Sequence, residues 1–353
     1  MQRILRGLVL LSLATPPLAA LTQPSSFAVG TASAAPGQKA TGYLEVAQGV
    51  DPAARIPVIL LRGAKPGATL ALVAGLHGTE YASIVALYQL ASRVDPLQMS
   101  GTLIVLPLVN IASFEAMVPH VNPVDGKSMN RYYPGKADGT QTDRASWLIT
   151  REVVDKCDAL IDLHGGDLDE SLRTFSYWFR SGNAKVDEAS RQMVLAFGLD
   201  HIVIFDDFPK DPAASRFLDS TALLHGKPAI AVEAGHAGTV ERGDVEALVD
   251  GCLSVMRHLA ILPGVASPVD HPVWIDKLVP ISSEQSGVFY PLVHRGTFIE
   301  AGMKVGVVAD YVGTTVTEIR APAAGVVLYV RAVPSLKKGD TIADIGVVAS
   351  KAP

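Results

Sequence analysis

Leu70-Ala71-Leu72-Val73-Ala74-Gly75-Leu76-His77-Gly78-Thr79-Glu80 decides how the chain is built. An apolar run of strand length ends where Gly75 and Gly78 bracket His77, and Glu80 follows three residues after the histidine. From Tyr81 to about Ser92 the apolar residues recur at helical spacing. The histidine therefore stands at the C-terminal end of a strand, and the glutamate in the first turn of a helix. Open α/β sheets gather their ligands at that edge. His77-x-x-Glu80 across a tight turn aims an imidazole and a carboxylate at one point, two of the three protein ligands that a catalytic zinc takes.

The same grammar returns downstream. Asp158-Ala159-Leu160-Ile161-Asp162-Leu163-His164-Gly165-Gly166 is a second apolar strand ending in histidine and glycine. With a side-chain period of two, Asp162 and His164 share a face, so the carboxylate can orient the imidazole from behind. Recurrence makes His164 the candidate third ligand. Ala229-Ile230-Ala231-Val232-Glu233-Ala234-Gly235 is a further strand of this kind, ending in a glutamate. A carboxylate on a buried strand is costly unless paired or used, which makes Glu233 the candidate general base. Two imidazoles and a carboxylate leave a zinc ion one open position for water.

Between these strands, Gly101 to Leu108 reads as one more buried strand of parallel type, ending at Asn110. Residues 111–143 read as a long irregular loop, and loops of this length are commonly functional. Inside it Asn130-Arg131-Tyr132-Tyr133-Pro134-Gly135 holds a guanidinium beside an amide, a natural grip for a carboxylate. Helical patterns cover 145–156, 186–197 and 247–261, with shorter strands at 175–179 and 201–205. Residues 206–220 read as an acidic loop able to cover a cleft.

Composition bounds the rest. At 353 residues, 48% hydrophobic and 18% charged, the chain suits one large packed domain plus a smaller one. A net charge of −5 and the lack of any basic, aromatic-interleaved run give no basis for binding nucleic acid or an anionic membrane. Arg3 and Arg6, the apolar stretch Gly7–Leu13 and the small residues after it have the layout of a secretory signal peptide, with cleavage after Ala20 or Ala34. The expectation is an exported, periplasmic or secreted protein with no stable membrane insertion once residues 1–34 are set aside. Cys157 and Cys252 are equally compatible with two buried thiols or one bridge, and too few for a sulfur-based metal site. From about 265–270 prolines cluster and Val/Ile-rich strands with turns take over. The expected layout is thus an α/β domain over 35–265 and a β-barrel or sandwich over 270–353.

Jointly, His77-x-x-Glu80, Asn130-Arg131, Asp162-x-His164 and Glu233-x-Gly235 resemble the succinylglutamate desuccinylase/aspartoacylase family, a branch of the zinc carboxypeptidase-like hydrolases, over about residues 45–350. The resemblance implies a mixed sheet flanked by helices with a small C-terminal all-β domain. It implies one Zn2+ per chain on His77, Glu80 and His164, a substrate carboxylate held by Asn130 and Arg131, and Glu233 as general base. The activity it implies is removal of an acyl group from an N-acyl amino acid or related small amide, a small-molecule substrate carrying a carboxylate. A secreted metallocarboxypeptidase, an ester hydrolase and a non-catalytic binding module are the competing readings, and a homo-oligomer is left open. Two departures stand out. The arginine that aspartoacylase-like members carry after the second strand is missing from Asn110-Ile111-Ala112-Ser113-Phe114, and His236 stands where many relatives have glycine.

Overall fold

The computed structural model describes residues 26–353; the signal-peptide features at residues 3–20 lie outside them. The chain opens with a hairpin, β1 (Phe27–Val29) and β2 (Ala32–Ala34), followed by β3 (Gln38–Val46) and β4 (Ala54–Arg62). Then come β5 (Lys65–Ala74), α1 (Tyr81–Arg93), β6 (Ser100–Leu106), α2 (Ile111–Ala116) and α3 (Gln141–Ile149). β7 (Ala159–His164), β8 (Glu170–Phe179), α4 (Ala184–Phe197) and β9 (His201–Phe205) follow. α5 (Leu218–Leu224), β10 (Ala229–His236) and α6 (Arg242–His258) complete the helical part. After it come only strands: β11 (Val273–Ser282), β12 (Gly287–Pro291), β13 (Phe298–Ile299), β14 (Lys304–Ala309), β15 (Thr315–Arg320), β16 (Gly325–Arg331), β17 (Ser335–Leu336) and β18 (Thr341–Val348).

The fold is a mixed α/β architecture around a twelve-stranded sheet, ordered β13-β16-β18-β11-β9-β8-β10-β7-β5-β6-β4-β3. Its centre is parallel: β6, β5, β7 and β10 run side by side in one direction. Both faces of these strands are buried, as their near-continuous apolar sequences require. Leu70, Leu72 and Ala74 face one way and pack with Leu87 of α1, Phe197 of α4 and Leu248 of α6. Ala71 and Val73 face the other way and pack with Ile149, Leu218 and the hairpin residues Val29 and Ala32. Each such fully buried aliphatic side chain is worth about 1.5–3 kcal/mol. Leu160 and Ala231 lie on this second face, so the period of two also delivers Asp162, His164 and Glu233 there, at the strands' C-terminal ends.

Three features differ from the sequence expectation. The segment 111–143 is not structureless. Asn110 caps α2 by accepting the N–H of Ser113, and α3 begins at Gln141 because the Asp143 carboxylate accepts both the N–H and the hydroxyl of Thr140. The folded chain begins before residue 35, since Val29, Ala32 and Ala34 of the hairpin are fully buried against the sheet. Third, the compositional border at 265–270 is not a break in backbone pairing. β11 pairs with β9, and β16 pairs with β8, so β8, β9, β11, β18 and β16 close on themselves as a five-stranded barrel. Phe175, Val203, Ile275, Val326 and Leu328 pack together in it. β15, β14, β12 and β17 form a separate four-stranded sheet, and Phe289, Val305 and Val308 pack from it onto Val327 and Ile345.

Cys157 and Cys252 are unbonded and buried in the two different packing layers, on opposite faces of the sheet. Among the described residues no helix is long and apolar enough to cross a membrane.

Candidate active site

β5 ends at Ala74, and Gly75 (φ +68°) turns the chain so that its carbonyl accepts the N–H of Asn110. The turn carries His77 and Glu80 over the C-terminal edge of the sheet, where β7 delivers His164. His77 Nδ1 lies 2.6 Å from Glu80 Oε1, and His164 Nδ1 lies 2.9 Å from Glu80 Oε2. One carboxylate thus spans two imidazoles whose ring centroids are 5.2 Å apart. Burial pushes the Glu80 carboxyl up, but the charges of His77 and His164 and their hydrogen bonds outweigh it and hold the group at about 2. His164 goes the opposite way. Burial disfavours its charge, yet Asp162 and Glu80 together keep the imidazole charged far above its ordinary range.

This triad suits a divalent metal. Among the described residues it is the one group of three whose ligand atoms all lie within 4.8 Å of one another. The donor set, two nitrogens and a carboxylate, is that of a catalytic zinc site. The far nitrogen of His164, Nε2, sits 3.2 Å from Asp162 Oδ2, the backing that a metal-binding histidine commonly has.

Glu233 stands opposite His164 in the parallel register of β10 and β7, and opposite Phe175 on β8. Its Oε2 is buried without a hydrogen-bond partner, and burial raises its carboxyl well above the ordinary range. Close approach of the two strand ends depends on glycine. A Cβ on Gly166 would sit 2.6 Å from the Gly235 carbonyl. The Gly residues that follow His164 and Glu233 are therefore a packing requirement of the site.

The Asn130-Arg131 pair divides its roles. Asn130 faces inward: its Nδ2 lies 3.1 Å from His164 Nε2, and its Oδ1 accepts the N–H of Leu218 at the start of α5. Arg131 donates to the Asn130 carbonyl and lies over the Phe217 ring, 4.8 Å from its centroid, with no carboxylate partner among the described residues. All six residues expected from the sequence line a single cavity of about 520 Å³.

The cavity also holds residues that the sequence did not single out. Asp219 on α5, Glu170 and Tyr177 on β8, and Asp344 on β18 line it, as does His120 from the 117–140 segment. His120 is bound on both sides, Nε2 to Asp169 (2.8 Å) and Nδ1 to Asp167 (3.3 Å); the Asp169 hydrogen bond and the charges of Glu170, Asp167 and Asp169 overcome its burial and raise it to about 9. Phe175-x-Tyr177-x-Phe179 carries a legible signal, since alternation on a strand places all three rings on one face. They stack edge and face with Phe205 into an aromatic wall.

Fold and site together define a mixed α/β protein with a candidate metal centre at the sheet edge, and sequence comparison specifies it further. Residues 66–259 match the model of the succinylglutamate desuccinylase/aspartoacylase catalytic domain, and the chain belongs to that family, whose members are acyl-removing hydrolases. An N-alpha-acetyl-L-2,4-diaminobutyric acid deacetylase of Halomonas elongata is 29% identical over 304 residues, spanning 84% of this chain and 86% of that one. The crystal structure of a succinylglutamate desuccinylase from Silicibacter sp. TM1040 superposes with a TM-score of 0.80 at 25% identity, over 88% of this chain and 95% of that one. The product-bound ectoine utilization protein EutE of Ruegeria pomeroyi gives 0.79 at 25% identity, with the same coverage.

Proposed function

We propose that the protein is an exported, zinc-dependent deacylase that hydrolyses the amide of an N-acyl amino acid or a related small amide. The observation that carries this reading is the convergence, in one cavity, of the His77/Glu80/His164 triad, the unpartnered carboxylate of Glu233 and the unpaired guanidinium of Arg131. The Halomonas relative, named for an N-acetylated amino acid, supports the substrate class.

His77, Glu80 and His164 would hold one Zn2+ per chain. Bound there, zinc supplies Lewis acidity, lowering the pKa of a bound water towards 7 and polarising the amide carbonyl. Asp162 fixes the His164 ring from its far side, and Asn130 ties that ring to the start of α5. In its ionised form Glu233 would take a proton from the attacking water, its affinity for that proton strengthened by burial, and pass it to the leaving nitrogen. Arg131 clamps the substrate carboxylate, so that binding energy fixes the position of the scissile bond. The aromatic wall keeps bulk water from the reacting atoms.

Export is supported by the N-terminal layout at residues 3–20, and the buried hairpin favours cleavage after Ala20 over Ala34, because the later cut would remove Val29 and Ala32 from the core.

The test is a product-mass assay on metal-loaded protein with matched N-acyl amino acids, dipeptides and esters. Chelator-sensitive release of the amino acid from acyl substrates, lowered about 10²–10⁴-fold in Glu233→Gln with metal content unchanged, is the expected result. Cleavage confined to dipeptides would replace the reading with a carboxypeptidase, and cleavage confined to esters with an esterase. A Glu233→Gln variant with near-wild-type turnover would overturn the base assignment.

A further inference from the structure

Glu233 is carried at an irregular point of the sheet. It forms the last regular pair between β10 and β8, opposite Phe175, and the next pair joins Gly235 to Leu172. Arg173 and Thr174 therefore stand against Ala234 alone, a bulge of two residues against one. At the same point β8 changes its other neighbour, from β9 over 176–179 to β16 over 170–172. Bulges bend a strand and re-aim the side chains beside them. A base carried next to such a bend needs its backbone fixed from outside, because the local ladder is interrupted there.

Arg295 does this. It lies in the connection between β12 and β13, among the C-terminal strands, and reaches back to the bulge. Its Nη1 donates to the Gly235 carbonyl at 2.9 Å and to the Leu172 carbonyl at 3.1 Å. These are the two residues paired across the strands directly after the bulge. Nη2 donates to Glu241 Oε2 at 3.2 Å, and Nη1 stands 3.6 Å from Asp244 Oδ2. Both acids sit at the start of α6, so two carboxylates aim the planar guanidinium while it bridges two strands. Arg295 does not line the cavity. Its influence on the chemistry runs through the backbone of β8 and β10.

We propose that Arg295 is a positioning residue for Glu233: by clamping the bulge it sets the direction in which the carboxylate enters the cavity, and so couples the C-terminal strands to the hydrolytic step. The positioning role rests on Glu233 acting as general base; the clamp rests on the hydrogen bonds alone.

Two measurements test it, on wild type, Arg295→Gln and Arg295→Lys. In the metal-free protein, amide hydrogen exchange in peptides covering 170–174 and 233–238 should quicken at least about tenfold in Arg295→Gln, with peptides covering 70–80 and 158–164 unchanged. In the zinc-loaded protein, the N-acyl amino acid cleaved fastest by the wild type is the substrate. Arg295→Gln should lose about 10–100-fold in kcat, as for a reacting group misplaced by about 1 Å, with KM and metal content unchanged. Arg295→Lys should recover part of that loss, since an ammonium still donates to a carbonyl, and it carries the comparison if Arg295→Gln does not fold. Added to Glu233→Gln, the Arg295 substitution should lower kcat by no more than about twofold further, because the group it aims is already gone. An equal fold-loss in both backgrounds shows that Arg295 acts on the fold at large and overturns the inference. Unchanged exchange at the bulge, or unchanged kcat in Arg295→Gln, also overturns it. Near-wild-type turnover in Glu233→Gln, or no hydrolysis of any acyl compound by the wild type, instead fails the reading of the site and takes the positioning role with it, even where exchange shows the clamp.

Discussion

Asp162 Oδ2 lies 3.2 Å from Nε2 of His164, on the side of the ring away from the Nδ1 that meets Glu80 at 2.9 Å. Both residues sit on β7 and project from the same face, so the strand itself sets the imidazole's orientation. Asp162 is fully buried and cannot reach substrate or solvent. Its contribution is a buried negative charge beside the ring, which favours the charged imidazole. Asp162→Asn keeps the shape and removes the charge. Zinc affinity, read by competition with a chromogenic chelator, should fall about 10–100-fold. Unchanged affinity would show that the ring is positioned by packing alone.

Arg131 is tested by a split between binding and turnover. Its guanidinium is held by the Asn130 carbonyl and the Phe217 ring, and among the described residues no carboxylate forms an ion pair with it. A charged hydrogen bond to a carboxylate is worth about 1.5–3 kcal/mol, roughly ten- to hundredfold in binding. Arg131→Ala should raise KM by that factor with a smaller change in kcat, and Arg131→Lys should recover only part of it, because an ammonium lacks the planar fork. A pure loss of kcat in steady-state kinetics would move Arg131 to the reacting carbonyl instead.

These two residues also show what a sequence can disclose. His164 and Glu233 were legible as candidates because each lies at the end of an apolar strand, and His77 and Glu80 because they follow one across a glycine-bracketed turn; parallel strands deliver their C-terminal ends to one edge. Asp162 followed from the strand period. Asn130 was legible as a candidate site residue, but its inward contacts to His164 and α5 were not, since they depend on where a distant helix begins. Asp219 was hidden for the same reason: α5 is seven residues long and starts inside a segment that reads as acidic loop. The closure of β16 onto β8 joins residues far apart in the chain, and no local pattern announces it. That closure brings Asp344 to the cavity and makes the C-terminal strands part of the main sheet.

Asp219 should govern how the metal-free protein responds to pH. It is buried, and burial first, then the charge of Asp162, raises its carboxyl from 3.8 to about 8, against smaller opposing effects of His164 and Arg131. In the unfolded chain the group ionises near pH 4; in the folded chain it holds its proton to about pH 8. Between those values unfolding releases a proton, so stability falls as pH rises through the window and levels off above it. Asp219→Asn removes this slope. Its unfolding free energy relative to wild type should therefore climb from pH 4 to pH 8, by an amount on the order of a few kcal/mol. Denaturant titrations at intervals across that range measure it. Parallel curves for the two proteins would mean that Asp219 is ionised in the fold, paired with Arg131 in solution.

The burial of hairpin β1–β2 gives the two proposed processing sites different consequences for stability. Val29, Ala32 and Ala34 have no exposed surface, and they pack with Val58, Val73 and Ile104 on the same sheet face that carries the site. Removing residues 1–20 leaves the hairpin whole. Removing residues 1–34 takes its buried side chains away and uncovers the apolar atoms beneath. At about 25 cal/mol per Å² of apolar surface, and with Val29 alone worth about 1.5–3 kcal/mol, the shorter chain should lose several kcal/mol and several degrees in Tm. A chain starting at Leu21 should melt as the longest soluble form does. Mass spectrometry of the mature chain tests the proposed export, with the processed end expected at Leu21. A mature chain starting at Ala35 with an unchanged Tm would show that the hairpin covers the sheet without stabilising it.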